Sequence, residues 1–206
     1  TAIGKVGVFG LDTPETMTKA HPDNVKGLTF YQGDELVKCA QAQVDALKKD
    51  GCVYIIALSH LGVDPESEPN RSTDVFAKVN GVDLVIDGHS HTEMGEYTNN
   101  AYIHSTGEYL NNVGVVITDG KDESGALISA ASWTKVDEEV AKIVNARNEA
   151  VQAELNKTFA KTEVLLNGER APGNRTEETN LGDFAADAIL WSARQAVGED
   201  KVDVAI

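Results

Sequence analysis

Three of the five histidines in the chain follow closely on apolar segments that are typical of buried strands. His89 and His91 come directly after DLVIDG at 83–88, and His60 follows CVYIIAL at 52–58. Neutral imidazole is the commonest protein ligand for zinc and related ions. Because ligands of an open α/β sheet gather beyond the carboxyl ends of its strands, we expect these rings to meet at one edge. The spacing therefore predicts a metal site that contains His60, His89 and His91.

The residues around these histidines favour the same interpretation. His89 and His91 are two positions apart, so in extended backbone both side chains lie on one side of the chain. Gly62 and Gly88 flank the histidines and would let the backbone bend close to a cluster. We therefore expect both loops to approach one site.

Three imidazoles leave the kind of site open. They suit either a mononuclear catalytic ion or a single structural zinc completed by water. The absence of a fourth nearby Cys or His argues against the structural zinc. His21 and His104 lack a comparable setting, and we interpret them as turn or surface residues.

Composition limits the possible partners. Acidic residues outnumber basic ones by 33 to 18, which gives a formal net charge of −15. Such a surface repels nucleic acid polymers, whose binding depends on neutralised phosphates. No apolar stretch reaches the roughly 18 residues that a membrane span requires, and no secretory leader is recognisable. Cys39 and Cys52 are predicted to be buried thiols, although a disulfide between them stays open.

Alternating patterns predict an α/β layered domain in the first half of the chain. Strands are predicted at 5–11, 27–31, 52–58 and 83–88, and helices at 35–49 and 71–80. Beyond position 100, consecutive strands are predicted at 101–107, 112–119 and 126–136, with antiparallel or mixed pairing.

A long segment at 137–161 is free of Gly and Pro and predicts a helix that connects two domains. Asp137 is its expected N-cap. The region 162–198 then indicates a strand, a Gly/Pro loop and an amphipathic helix that Asn180 would cap. The last residues, KVDVAI at 201–206, read as the beginning of a further strand.

Four stretches in this order resemble the 5′-nucleotidase family of two-domain metallophosphoesterases, which includes ecto-5′-nucleotidases and bacterial periplasmic UDP-sugar hydrolases. They are VGVFGLDTPET, IALSHLGVD, VIDGHSH and NRTEETNLGDFAADAIL. The resemblance covers almost the whole chain. It implies the C-terminal part of a layered α/β/β/α catalytic sandwich at 1–136, a connecting helix at 137–161, and the truncated beginning of a C-terminal α/β substrate-binding domain at 162–206.

The resemblance also implies roles for individual residues. The histidines matched by His60 and His89 ligate the second metal of the family, and the position matched by His91 faces the first. The arginine matched by Arg175 contributes to substrate phosphate binding, with Arg170 as a second candidate. A guanidinium suits this role because its rigid fork of donors matches phosphate geometry.

The family's other ligands and its catalytic His–Asp pair belong to stretches that position 1 already lies beyond. The chain is therefore expected to be a central fragment. It would hold no catalytic residue of its own and would be inactive alone.

The activity implied for the parent protein is hydrolysis of nucleoside 5′-monophosphates, a step of nucleotide catabolism, by water that two divalent ions activate. Zinc or manganese is the expected metal, and a small nucleotide is the expected substrate. The implied location is periplasmic, cell-wall-associated or secreted. UDP-sugars, 2′,3′-cyclic nucleotides and dinucleotide polyphosphates are alternative substrates of the same chemistry. An alternative of another class is a non-catalytic nucleotide-binding module.

Overall fold

The computed structural model describes residues 3–205, and of Arg170 and Ala171 it describes the backbone only. The chain divides into two compact units, Thr1–Lys135 and Val136–Ile206. We call these the first and the second unit. No helix among residues 3–205 is both long and apolar enough to cross a membrane.

The first unit is built on a mainly parallel sheet, which confirms the α/β class. The strands are β1 Val6–Asp12, β2 Tyr54–His60, β3 Leu84–Ile86, β4 Glu93–Thr98, β5 Ala101–Thr106, β6 Asn112–Thr118 and β7 Glu123–Ser129. Strands β1, β2, β3 and β5 are parallel neighbours, and β4 pairs antiparallel with β5 at one edge. Strands β6 and β7 form a separate antiparallel hairpin.

The helices of the first unit lie between these strands. They are α1 Thr16–Lys19, α2 Pro22–Val25, α3 Gly33–Lys49, a 3₁₀ turn Pro65–Ser67, α4 Ser72–Phe76 and a 3₁₀ turn Ala130–Ser132. Helix α3 buries Leu36, Ala40 and Val44, which are spaced by four residues and so share one face. Asp34 and Glu35 in its first turn favour the helix dipole.

Two apolar clusters hold the layers together. On one side of the five-stranded sheet, α3 and α4 contribute Val44 and Phe76 to a core that includes Ile55 and Val85. On the other side, Tyr54 and its neighbours pack against the partly buried Val116 of the hairpin. The described part of the first unit thus has a helix layer, a sheet layer and a hairpin layer. Cys39 and Cys52 are free thiols, and Cys52 is buried.

His104 is buried in β5, which differs from its interpretation as a turn or surface residue. Its side chain is stacked on Tyr102 and the residue is only 4% exposed. Among the described residues neither ring nitrogen has a hydrogen-bond partner of good geometry, and a weak contact with the backbone of Met94 opposes only part of the effect of burial. Gly95 and Gly114 on the neighbouring strands leave the space, because a Cβ at Gly114 would lie 2.7 Å from Nε2.

We expect this burial to make the first unit acid-sensitive. Desolvation lowers the pKa of His104, so the unfolded chain takes up a proton more readily than the folded one. Stability is complete above the unfolded pKa and falls as the pH drops below it. We expect the unfolding temperature of wild type to fall more than that of His104→Leu between about pH 7.5 and pH 5.5. Equal losses in the two proteins, measured by thermal unfolding, would show that His104 contributes nothing to this sensitivity.

The second unit consists of helices and connecting turns in its described residues. They are α5 Glu138–Leu155, a π-helical turn Arg170–Asn174, α6 Asn180–Val197 and a 3₁₀ turn Glu199–Lys201. Asp137 caps α5 as predicted, because its side chain accepts from the backbone N–H of Glu139 and Val140 at 3.0 Å each. Helix α5 ends at Leu155 instead of 161, and Asn156 is its C-cap.

The cap predicted for α6 was wrong by one residue. Thr179 is the N-cap, and its hydroxyl accepts from the N–H of Gly182 at 3.0 Å. Asn180 is the first helical residue. Its side-chain amide instead binds the preceding segment. The amide oxygen accepts from Asn167 N–H, and the amide nitrogen donates to the carbonyl of Leu165.

Three predicted strands are absent from the described residues. They are the strand at 27–31, the strand near the start of 162–198, and the described part, 201–205, of the strand predicted at 201–206. A strand needs a hydrogen-bonding neighbour, and no described strand runs beside these segments. Ile206 lies outside the described residues.

Candidate metal centre

His60 and His89 meet at the carboxyl ends of two adjacent parallel strands. His60 is the last residue of β2, and His89 follows the end of β3 by three residues. Their ring centroids are 5.1 Å apart with an edge-to-face angle of 64°. Both rings line one open cavity of about 260 Å³, together with residues of the loop after β1. The predicted convergence therefore holds for this pair.

Two glycines make the approach possible. A Cβ at Gly88 would lie 3.2 Å from His60 Nδ1 and 3.7 Å from Cε1, so the ring packs over this glycine. Gly62 has a φ of +70°, and a Cβ there would be 3.0 Å from the backbone nitrogen of Ser90. Both positions were singled out in the sequence, and both bring the loop after β2 against the loop after β3.

Asp87 locks these two loops together, a role that the sequence analysis missed. Its Oδ1 accepts from the N–H of Leu61 at 3.1 Å and of Gly62 at 3.4 Å. Its Oδ2 and the carbonyl oxygen of Gly62 both lie within hydrogen-bond distance of the Ser72 hydroxyl and share its single hydrogen. The signal was present, since an aspartate directly between a buried strand and GHSH is placed to cap a neighbouring loop.

Glu15 is a second functional candidate that the sequence analysis missed. Its Oε2 lies 3.2 Å from His89 Nε2 and 2.5 Å from Lys19 Nζ, and its Oε1 accepts from the Ser67 hydroxyl at 2.5 Å. Hydrogen bonds from Lys19, then Ser67 and His89, lower the pKa of Glu15 to about 2 against the opposing effect of burial. Glu15 is therefore a carboxylate at neutral pH. It follows β1, the third parallel strand to end at this edge.

His91 has contacts of its own, with Glu108 and Tyr109. His89 and His91 have φ values of 78° and 55°, so the segment is not extended and the expectation that both face one side was wrong. His91 Nδ1 is 2.5 Å from Glu108 Oε2, and its side chain is 52% exposed. Its ring is tilted against that of Tyr109. A metal role for His91 stays a prediction.

The imidazole donors of the pair are of the chemical type that binds zinc and related divalent ions. His60 Nδ1 faces Gly88, which leaves Nε2 on the far side of the ring, and His89 Nε2 faces Glu15, which leaves Nδ1. Within residues 3–205, no three or more His, Cys, Asp and Glu side chains are grouped so that they could hold a metal ion. His60 and His89 therefore supply two ligands and not a complete coordination sphere.

The predicted phosphate-binding arginines belong to the second unit. Arg175 is exposed on the turn after the π-helical turn Arg170–Asn174. The side chain of Arg170 lies outside the described residues. Phosphate binding by either residue stays a prediction. The remaining histidine, His21, lies on an exposed turn, where its Nδ1 accepts from the N–H of Asp23 at 3.3 Å.

Known proteins resemble the chain in sequence and in fold. It is 34% identical over 212 residues to the trifunctional nucleotide phosphoesterase protein YfkN of Bacillus subtilis strain 168. That alignment covers 94% of this chain and 13% of YfkN. It is 26% identical over 214 residues to the snake venom 5′-nucleotidase of Crotalus adamanteus, covering 91% of this chain and 34% of that protein. No protein-family model matches the chain.

A solved structure extends the likeness to three dimensions. The crystal structure of the 5′-nucleotidase precursor from Thermus thermophilus matches with a TM-score of 0.60 and 25% identity, over 93% of this chain and 40% of that one. The fold is therefore a phosphoesterase fold. The chain itself is related to the 5′-nucleotidases, which confirms the resemblance predicted from the sequence, and it spans well under half the length of these relatives.

Proposed function

We propose that the protein to which this chain belongs hydrolyses a phosphate ester of a nucleotide, with nucleoside 5′-monophosphates as its main substrates. The observation that carries this proposal is the pair of imidazoles from His60 and His89, 5.1 Å apart at the edge where parallel strands end. Relatives that are named as nucleotidases and nucleotide phosphoesterases support the same chemistry. A further relative, from Haemophilus influenzae, is named as a 2′,3′-cyclic-nucleotide 2′-phosphodiesterase/3′-nucleotidase, which supports 2′,3′-cyclic nucleotides as alternative substrates. UDP-sugars are a second alternative within the same chemistry.

His60 and His89 would share a divalent ion, zinc or manganese, in a site for two such ions. When bound, the ions supply a water of lowered pKa and positive charge near the phosphoryl oxygens. The imidazole donors suit zinc or manganese better than calcium, which prefers oxygen ligands. Positive charge at this site also offsets the formal charge of −15, which would otherwise repel an anionic substrate.

The chain's own residues have separate tasks in this proposal. His60 and His89 hold the ion, and Asp87 keeps the loop beside His60 in place through its contacts with Leu61 and Gly62. Arg175, with Arg170 as a second candidate, would bind the substrate phosphate. A secreted, cell-wall-associated or periplasmic location is part of the proposal, and it is supported by the venom origin of one relative.

Hydrolysis by the full-length gene product tests the proposal. We expect phosphate release from AMP that requires added zinc or manganese and that His89→Ala reduces at least about 100-fold, more than the loss of an outer-shell partner typically costs. The 206-residue chain alone is expected to be inactive, since it holds two ligands of the site. Metal-independent hydrolysis by the full-length product, or metal-dependent AMP turnover by the chain alone, would contradict the proposal.

A further inference from the structure

Glu15 joins three loops at the edge of the sheet. It belongs to the loop after β1, its Oε1 is held by Ser67 in the 3₁₀ turn after β2, and its Oε2 faces His89 after β3. Lys19, one helical turn further along from Glu15, completes the arrangement. The Glu15 carboxylate therefore contacts residues of the segments that follow β2 and β3, while Glu15 itself follows β1.

These contacts leave Glu15 little freedom. Its side chain is 21% exposed, and Ser67, which anchors one oxygen, is 3% exposed. Lys19 compensates its negative charge directly. Lys19 and Ser67 hold the two carboxylate oxygens of Glu15, so Glu15 is a fixed hydrogen-bond partner for the His89 imidazole. A carboxylate without such contacts would move with the ring.

We propose that Glu15 positions His89 for metal ligation by accepting a hydrogen bond from His89 Nε2–H. The inference rests on the proposed metal site and adds a residue to it. A proton held on Nε2 leaves the lone pair on Nδ1, so Nδ1 is the atom that ligates. Metal-ligating histidines almost always donate their other ring N–H to such a partner, which fixes the tautomer and the ring orientation.

Glu15 acts through His89 in this scheme and is a positioning residue. A direct metal ligand at the same place would need a free carboxylate oxygen. The Lys19 ammonium already lies 2.5 Å from Oε2, and the Ser67 hydroxyl donates to Oε1. A cation at either oxygen would have to displace one of these donors.

The tautomer of His89 tests the inference without any metal. Long-range ¹H–¹⁵N spectra of the 206-residue chain at about pH 8, where an ordinary imidazole is neutral, report which nitrogen holds the proton. We expect His89 to be protonated on Nε2 in wild type and to become a mixture of tautomers in Glu15→Gln. Glu66→Gln is the matched control, because this exposed carboxylate lies next to Ser67. Protonation of wild-type His89 on Nδ1 would overturn the inference.

Zinc calorimetry separates this inference from the proposed function. Glu15→Gln is expected to weaken zinc binding roughly 10- to 100-fold, as loss of an outer-shell partner does, whereas Glu66→Gln leaves it unchanged. If His89→Ala weakens zinc binding and Glu15→Gln does not, the metal site stands and the positioning role is wrong. If His89→Ala has no effect on zinc binding, both are wrong.

A variant that removes only one anchor guards against a folding artefact. Ser67→Ala frees Glu15 Oε1 and is expected to shift the His89 tautomers and the zinc affinity in the same direction as Glu15→Gln, by a smaller amount. Wild-type spectra in both variants outside the loops after β1, β2 and β3 confirm that the fold is retained. If neither Ser67→Ala nor Glu15→Gln changes the His89 tautomers or the zinc affinity, the proposal is overturned.

Discussion

Replacing His89 with alanine is expected to weaken zinc binding to the chain at least about 100-fold. His89 and His60 are the imidazoles that the structure brings within 5.1 Å of each other. Removing one of two protein ligands costs more than removing an outer-shell partner, for which roughly 10- to 100-fold is typical. Titration calorimetry on the wild-type and variant chains measures the difference.

His21→Ala is the matched control for this variant. It removes an imidazole of the same type from an exposed turn, where Nδ1 accepts from the backbone N–H of Asp23 and lies 3.9 Å from the carboxylate of the same residue. We expect its zinc affinity to equal that of wild type. Equal losses in His21→Ala and His89→Ala would mean that zinc binds the chain through dispersed surface groups and not at the His60–His89 pair.

Replacing Asp87 with alanine is expected to lower the free energy of unfolding of the first unit by about 2–4 kcal/mol. Its carboxylate accepts from the backbone N–H of Leu61 and of Gly62 and from the hydroxyl of Ser72. Alanine leaves these part-buried donors without an acceptor, and the loop next to His60 loses its anchor. Hydrogen exchange of the amides of buried β2 residues such as Ile55 reports this stability.

Asp87→Asn separates geometry from charge. Its Oδ1 would still accept from Leu61 and Gly62, and its amide N–H₂ would donate to the Ser72 oxygen while the Ser72 hydroxyl donates to the carbonyl of Gly62. We therefore expect a loss of about 1 kcal/mol, well below that of Asp87→Ala. A loss in Asp87→Asn as large as in Asp87→Ala would show that the charge, and not the hydrogen-bond geometry, stabilises these loops.

The part of the site that could be predicted from sequence depends on continuous apolar runs. CVYIIAL and DLVIDG contain the buried residues of β2 and β3, and parallel pairing of such strands brings His60 and His89 to one edge without further information. The position of His91 could not be obtained in this way. It depends on a φ of 78° at His89, which bends the chain away from the extended path and which the spacing of two residues does not reveal.

Glu15 and β4 were missed for different physical reasons. The role of Glu15 depends on Lys19, one helical turn away, and on Ser67, which belongs to the segment after β2. No local sequence pattern predicts that these segments meet. Strand β4, EMGEYT, carries mostly exposed side chains and exists because it pairs antiparallel with β5. Conversely, GLTFY at 27–31 has strand-like residues but no described strand beside it, so pairing outweighs propensity.

If one divalent ion binds His60 and His89 together, both rings must respond to it at the same concentration. A zinc titration of the isotope-labelled chain, followed in long-range ¹H–¹⁵N spectra, observes both imidazoles at once. We expect the His60 Nε2 and His89 Nδ1 signals to shift with a single dissociation constant, and replacement of either histidine to abolish the shift of the other. Independent dissociation constants for the two rings, or a zinc response at His60 that persists in His89→Ala, would contradict the sharing of one ion by the two rings.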